Sequence, residues 1–521
     1  MIADGGELAL VDVREELIFS QSHLLLARSV PLSRFELNFP ALVPRRATRI
    51  VLCDDDDGLA VQAATVLSRN GYSNVQVLAG GIAAWAAAGF ELFSGVNVPS
   101  KAFGEYIEHV EDTPNITAPE LERLIRDGAD LVVLDSRPFD EYSRVSIPTA
   151  TNVPGAELVL RAREIAPSPA TIVVVNCAGR TRSIIGAQSL INAGLPNKVM
   201  ALRNGTMGWS LAGFTCDSGK NRRAPAASAK TLEWAQQAAW RVAQACGVKR
   251  IDRAAVEQWR KDETRTLYLF DVRDPGEYEA GHVLGTRSAP GGQLVQATDQ
   301  YIGTLGARIV LVDEAEVRAA MTGSWLRQMG FADVFVLAEN GSETGWPPAP
   351  MLEVDSPGLD AAINAAALSE FLARDAATVI DLSLSRNYLH KHIPGAWFAI
   401  RTRLARALER IPLRGTLVLS SEDGTLARLA VAEAASLTDK PVRYLSGGNS
   451  AWHAAGQAFS AEAKMADDAV DQWRKPYERA GDVKAAMQDY LAWEVDLLPR
   501  IARDGSLQFG RFKPQLPREA R

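Results

Sequence analysis

The chain has 521 residues, 47% of them hydrophobic and 23% charged, with a net charge of −7 and a pI near 5.6. That length accommodates roughly three or four domains of ordinary globular composition, and the acidic balance argues against non-specific nucleic-acid binding, so any anion site must be local. Cys53, Cys177, Cys216 and Cys246 have no CxxC spacing, and six scattered histidines give no zinc pattern, so neither a disulfide framework nor a metal or other cofactor is expected. No run of about 18 apolar residues predicts a membrane span, and the start MIADGGELALVDVREE lacks the basic and apolar regions of a signal peptide. The simplest expectation is a reducing, cytoplasmic compartment.

Read in order, the sequence repeats one layout four times, in residues 1–95, 115–216, 250–347 and 361–460, before a helical tail at 465–521. Each repeat opens with an apolar run ending in aspartate: LALVD at Asp12, LVVLD at Asp135, LYLFD at Asp271 and TVID at Asp381. A second strand follows (RIVLCD, TIVVVNC, RIVLVD, TLVLSS), then a helical stretch, a third strand and a tryptophan (Trp85, Trp209, Trp346, Trp452). Asp12 to Asp54, Asp135 to Cys177 and Asp271 to Asp313 are each 42 positions apart, and Asp381 to Ser421 is 40. Strands alternating with helices at this spacing predict small α/β domains with mainly parallel sheets.

Residues 96–115, 217–230 and 347–360 read as connections, the second rich in Gly, Ala, Ser and Arg. Thr231 to Cys246 reads as a helix whose Trp234 and Trp240 pack onto a neighbour. The tail from Asp467 reads as two helices that cap the last domain. Repeats two to four place a helix before their first strand, whereas MIADGGELALVD begins near the last turn of that helix. Repeat one would therefore expose apolar sheet surface, unless the natural start lies upstream or another segment, such as the C-terminal helices, covers it.

The chemistry concentrates in TIVVVNCAGRTRSIIGAQSLINAG, residues 171–194. A β-branched run predicts a buried strand, the spacing of Ile184, Ile185, Ala187, Leu190 and Ile191 predicts a helix, and Gly194 can stop it. Cys177 lies between them, where unpaired backbone N–H groups and the positive end of the helix dipole favour an anion, and so the thiolate. Arg180 and Arg182 add positive charge able to hold an oxyanion. Cys177 therefore reads as a nucleophile.

An apolar strand ending in D-x-R, a G-H-I-P-G-A-like turn, a strand-Cys-loop-helix and a closing Gly…Trp together resemble the rhodanese fold of sulfurtransferases. The best pieces are DVRDPGEYEAGHVLGT (271–286), HIPGAW (392–397) and CAGRTRS (177–183). The resemblance covers residues 1–460 and implies four tandem domains with no cofactor. It implies that Cys177 takes sulfane sulfur from a small anionic donor such as thiosulfate and passes it to cyanide, a thiol or an acceptor protein. The intermediate would be a persulfide cupped by the N–H groups of Ala178, Gly179, Arg180, Thr181, Arg182 and Ser183, with Arg180 and Arg182 on the donor's oxyanion. Arg137, closing Asp135-Ser136-Arg137, either reaches the donor or forms a salt bridge within the domain.

Repeat two reads Val145-Ser-Ile-Pro-Thr-Ala150 in place of the G-H-I-P-G-A turn, so it lacks a histidine that reads as structural in His23, His282 and His392. The other repeats carry Asp54, Asp313 or Ser421 where repeat two has Cys177, and Cys53 falls one residue early, facing away from the loop. These repeats read as catalytically silent, which leaves a partner-binding scaffold or persulfide carrier as an alternative. A phosphatase or arsenate reductase is the other, although Cys177 to Arg182 is Cys-x4-Arg and the phosphate cups of related enzymes are Cys-x5-Arg.

Overall fold

A computed structural model describes residues 1–354 and 361–511 of the chain. Part of the 347–360 connection and the last ten residues of the tail lie outside the described residues.

The four repeats form four sheets with helices on their faces, the tandem α/β architecture expected from the spacing. In repeat two the strand order is Asn115–Ile116, Val199–Leu202, Ile172–Asn176, Leu131–Asp135 and Thr151–Asn152, all parallel. Repeat three has the same order, and repeat four extends it with Lys464–Met465. The strand that leads into Cys177 is central, so its side chains are buried on both faces, as its Val-rich sequence requires. Each first strand ends in a fully buried aspartate, and in repeats one to three the arginine two residues on clasps it with two nitrogens. In repeat four Ser383 stands in place of that arginine, and its N–H and the Asn449 amide satisfy Asp381 instead.

Repeat one differs. A 3-10 turn at Ile2–Asp4 is all that precedes its first strand, Leu8–Asp12, among the described residues. That strand pairs antiparallel with Thr304–Leu305 of repeat three. In repeat two, the helix before the first strand buries Leu121 beside Val133 and Trp209. On the corresponding face of repeat one, Leu497 and Ile501 of the tail pack with Leu10, Phe19, Ile82 and Phe93.

This corrects two expectations. The tail does not cap repeat four. Asp467 and Asp471 anchor its start there, accepting from the N–H groups of Ile400 and Ser385, but its helices Val483–Val495 and Leu497–Asp504 lie against repeat one and the helix Val98–Glu111. Trp493 donates to the Ser94 carbonyl at 3.0 Å, and its ring passes so close to Gly95 that a Cβ there would meet it at 2.2 Å. Nor is 96–115 a bare connection. Val98–Glu111 buries Val98, Ala102, Phe103 and Ile107 and packs along the helix that follows Cys177. The helix Ala229–Ala245 similarly bridges repeats two and three, with Trp234 and Trp240 half-buried under Arg163 and Arg250. No helix among the described residues is long and apolar enough to cross a membrane.

Because Ile501 is 5% exposed within repeat one's cluster, Ile501→Ala should cost about 2–5 kcal/mol. Hydrogen exchange should then show lost protection in Leu8–Asp12 and Ile50–Cys53 and little change in Thr416–Ser420 of repeat four. The opposite pattern would restore the tail to repeat four.

Candidate active site

Cys177 sits between the strand Ile172–Asn176 and the helix Thr181–Asn192 and is 2% exposed. Its carbonyl accepts the N–H of Thr206 at 2.8 Å and the Thr206 hydroxyl at 3.0 Å, fixing the loop to the turn after the third strand. Only glycine fits at 205, which has φ +52° and would place a Cβ 2.3 Å from that carbonyl oxygen. The thiol lies 3.5 Å from the Ser183 hydroxyl, which itself donates to the Arg180 carbonyl. Among the described residues, the N–H groups of Ala178, Gly179, Arg180, Thr181 and Arg182 donate to no protein acceptor, and the Thr181 hydroxyl is buried and unpaired. Ser183 leaves the expected set, because its N–H returns to the Arg180 carbonyl at 3.1 Å.

The other three loops carry an oxygen where repeat two has the thiol. Asp54 accepts from the N–H groups of Asp56 and Ala60 at 3.0 and 2.9 Å. Asp313 accepts from Ala315, Arg318 and Ala319 at 3.2, 2.7 and 3.3 Å. The Ser421 hydroxyl accepts from Ala427 at 3.3 Å. All three reach the residue six positions on, the place Ser183 holds relative to Cys177. The silent repeats thus carry a built-in acceptor where repeat two has a thiol.

Arg180 is held at 2.7 Å by each oxygen of Glu105 and also bonds Glu108 and Asn204. It is not presented freely to a donor. Arg182 bonds Glu141 at 3.0 Å and Gln293 of repeat three at 3.1 Å. Burial alone would push Glu141's carboxyl up, but Arg182, with Lys475 of the tail at 3.1 Å, holds it well below the usual range. Arg137 makes the salt bridge to Asp135, plus a bond to the Val145 carbonyl at 2.6 Å, as Arg14 and Arg273 do in silent repeats. One difference remains. The third nitrogen of Arg14 and Arg273 reaches Asp55 and Glu314, each the residue after the aligned aspartate, and Ala178 offers Arg137 no such acceptor.

A cavity of about 80 Å³ lies over the loop, room for a few small-molecule atoms. Its walls come from the loop, from Lys101 of the Val98–Glu111 helix, from Gln296 of repeat three, and from Trp473, Lys475, Tyr477 and Tyr490 of the tail. Glu494 is fully buried, pairs with Lys101 at 2.9 Å and accepts from Tyr490 at 3.1 Å. Its other oxygen has no partner and lies 3.3 Å from where a Gly179 Cβ would be.

The rhodanese-like domain profile matches residues 1–88, 117–212, 252–343 and 364–455. The chain belongs to the rhodanese-like domain family. It is 49% identical, over 98% of both chains and with a TM-score of 0.95, to a protein whose crystal structure is described as thiosulfate sulfurtransferase from Pseudomonas aeruginosa. It is a rhodanese-type transferase. Shorter similarities are 30% identity over 89 residues to the uncharacterized protein YqhL of Bacillus subtilis, covering 17% of this chain and 69% of that one, and 33% over 104 residues to an HTH-type transcriptional regulator of Mycobacterium tuberculosis, covering 20% of this chain and 45% of that one.

Within the rhodanese repeats the remaining candidates fall into structural roles. His23, His282 and His392 stack on Phe19, Tyr278 and Tyr388 at 3.9, 4.0 and 4.0 Å and bond backbone carbonyls through Nδ1. Ser146 holds the same place in repeat two, in the same kind of bridge to the strand segment after the third-strand helix. Cys53 is buried among Leu10, Phe19 and Ile82, with its thiol pushed up by that burial, and burial likewise pushes Cys246 up to about 12. Among the described residues no group of side chains could hold a metal.

The sequence missed Lys101, Glu105, Glu108, Glu141, Lys475, Tyr477, Tyr490 and Glu494. One signal is present: Lys101, Glu105 and Glu108 recur at helical spacing on one face of the stretch between repeats one and two. The tail residues carried none, since nothing local says that a segment some 300 positions downstream will cross this loop.

Lys101→Ala would leave the Glu494 carboxylate buried without its cation, at a cost of about 3–5 kcal/mol. Lys101→Ala with Glu494→Ala should cost clearly less than the two singles added, a coupling that denaturant titration of the four proteins reads directly. Additive costs would show that the pair is not the connection between helix and tail.

Proposed function

We propose that repeat two moves sulfane sulfur from thiosulfate, or a small anionic donor like it, to cyanide or a thiol through a persulfide on Cys177. The observation that carries this reading is the set of unpaired N–H groups from Ala178 to Arg182 around a thiol, at a position where the silent repeats carry an aspartate or serine oxygen bonded to its own loop. The near-full-length similarity to a protein described as thiosulfate sulfurtransferase supports the donor.

In the first half-reaction the Cys177 thiolate attacks the outer sulfur of thiosulfate. An S–S bond forms at Cys177, the bond to the sulfonate sulfur breaks, and sulfite leaves with the electron pair. The persulfide's outer sulfur then lies among the N–H groups, which stabilise its charge without reorganising. Arg182 and Lys475, both on Glu141, and Lys101 line the cavity where sulfite departs. Arg137, with its spare nitrogen, is a further donor at the loop's edge. In the second half-reaction the acceptor attacks the outer sulfur, and Cys177 leaves as thiolate.

The cavity's size and burial favour small molecules over a phosphorylated protein, and they weigh against a loop that docks directly on a large acceptor protein.

Cys177→Ser should abolish turnover with thiosulfate and cyanide, whereas Cys53→Ser, Cys216→Ser and Cys246→Ser should keep most of it. Thiosulfate should add the mass of one sulfur to the wild-type peptide containing Cys177. Turnover by Cys177→Ser would overturn the single-site reading.

A further inference from the structure

The cavity over Cys177 and a second pocket share two wall residues of the tail. Trp473 and Tyr490, which wall the cavity, also wall a larger groove of about 560 Å³ between repeat one and the tail. Trp493 continues the groove's aromatic side, with ring centroids of Tyr490 and Trp493 5.3 Å apart.

The charge in this groove is unlike that in the cavity. Around the thiol, Lys101, Arg180, Arg182 and Lys475 are each matched by a carboxylate. The groove is lined by Arg474 and Arg479, and neither has a carboxylate within ion-pairing distance among the described residues. Arg479 bonds the Arg474 carbonyl and lies over the Trp473 ring at 5.6 Å. Asp489 is the one carboxylate in the lining, so the groove carries a net positive charge in a chain of net charge −7.

We infer that this groove is the acceptor subsite, and that it takes a small thiol bearing carboxylates. The inference rests on the persulfide reading of Cys177. The persulfide carries the transferable sulfur about 2 Å beyond Sγ, into a cavity too small to admit a thiol together with a bulky body. An acceptor therefore inserts its thiol past Trp473 and Tyr490 while the rest of it stays in the groove. The aromatic side packs the acceptor's methylenes, and Arg474 and Arg479 pair with its carboxylates. Its thiolate attacks the outer sulfur, the new S–S bond forms on the acceptor, the Cys177 S–S bond breaks, and its electron pair returns to the Cys177 thiolate. No oxidant or reductant is needed.

The test follows single discharge of the persulfide in wild type and in Arg474→Glu/Arg479→Glu. The persulfide is installed with inorganic polysulfide, so discharge can be read even if thiosulfate is not the donor. Mercaptosuccinate, with two carboxylates, is compared with neutral 2-mercaptoethanol and cationic cysteamine. The ratio of the mercaptosuccinate rate to the 2-mercaptoethanol rate cancels any loss of folded or loaded enzyme. That ratio should fall roughly tenfold or more in the variant, and the cysteamine ratio should rise. Unchanged ratios overturn the acceptor subsite while leaving the persulfide reading intact. Loading by polysulfide with no loading by thiosulfate overturns the donor assignment alone. If Cys177 takes sulfur from neither source, both readings fall.

Discussion

A parallel strand that passes directly into a helix leaves backbone N–H groups with no partner inside the helix, and a buried loop has to satisfy them. The four repeats place three kinds of atom at the start of this loop. Asp54 and Asp313 bring a carboxylate, Ser421 brings a hydroxyl, and repeat two brings a sulfur atom and leaves the N–H groups from Ala178 to Arg182 open. Silence and activity thus differ at the one position that faces these groups. Substituting a carboxylate for the thiol removes the nucleophile and fills the anion's place in the same step. The two losses need not have been independent.

The charges around Cys177 reinforce the point. The four cations lining the cavity are paired with Glu494, Glu105, Glu108 and Glu141. Their full charges largely cancel, so the unpaired N–H groups and the helix dipole supply the remaining pull on an anion. The ion pairs, with the Arg182–Gln293 hydrogen bond, also join separate parts of the chain. Lys101 and Glu105 come from the helix between repeats one and two, Gln293 from repeat three, and Lys475 and Glu494 from the tail. The site is therefore assembled by the whole molecule, although its chemistry belongs to one repeat. This gives the silent repeats a physical role as walls and anchors for the segments that close the cavity.

The repeat architecture was legible because each unit is specified locally: apolar strand, buried aspartate and strand-loop-helix recur at fixed spacing, and parallel sheets need both faces apolar. Cys177 was legible for the same reason, since its neighbours in sequence are its neighbours in space. The arginines were only partly so. Residue type and position identified Arg180 and Arg182 as cations at the loop, but their partners, Glu105 and Glu141, lie 75 and 41 positions away. The tail was misplaced because an amphipathic helix shows that it has an apolar face without showing what that face meets. Leu497 and Ile501 would have suited repeat four as well as repeat one on pattern alone, and tertiary packing decided between them.

In this mechanism the open N–H groups of repeat two hold the transferred sulfur. A crystal structure of the protein after exposure to thiosulfate tests it most directly. One additional sulfur atom should be bonded to Cys177 Sγ, within hydrogen-bonding distance of N–H groups between Ala178 and Arg182, with the loops at Asp54, Asp313 and Ser421 unchanged. A sulfur directed away from those N–H groups, or a loop whose N–H groups have been taken by the Glu494 carboxylate instead, would contradict it.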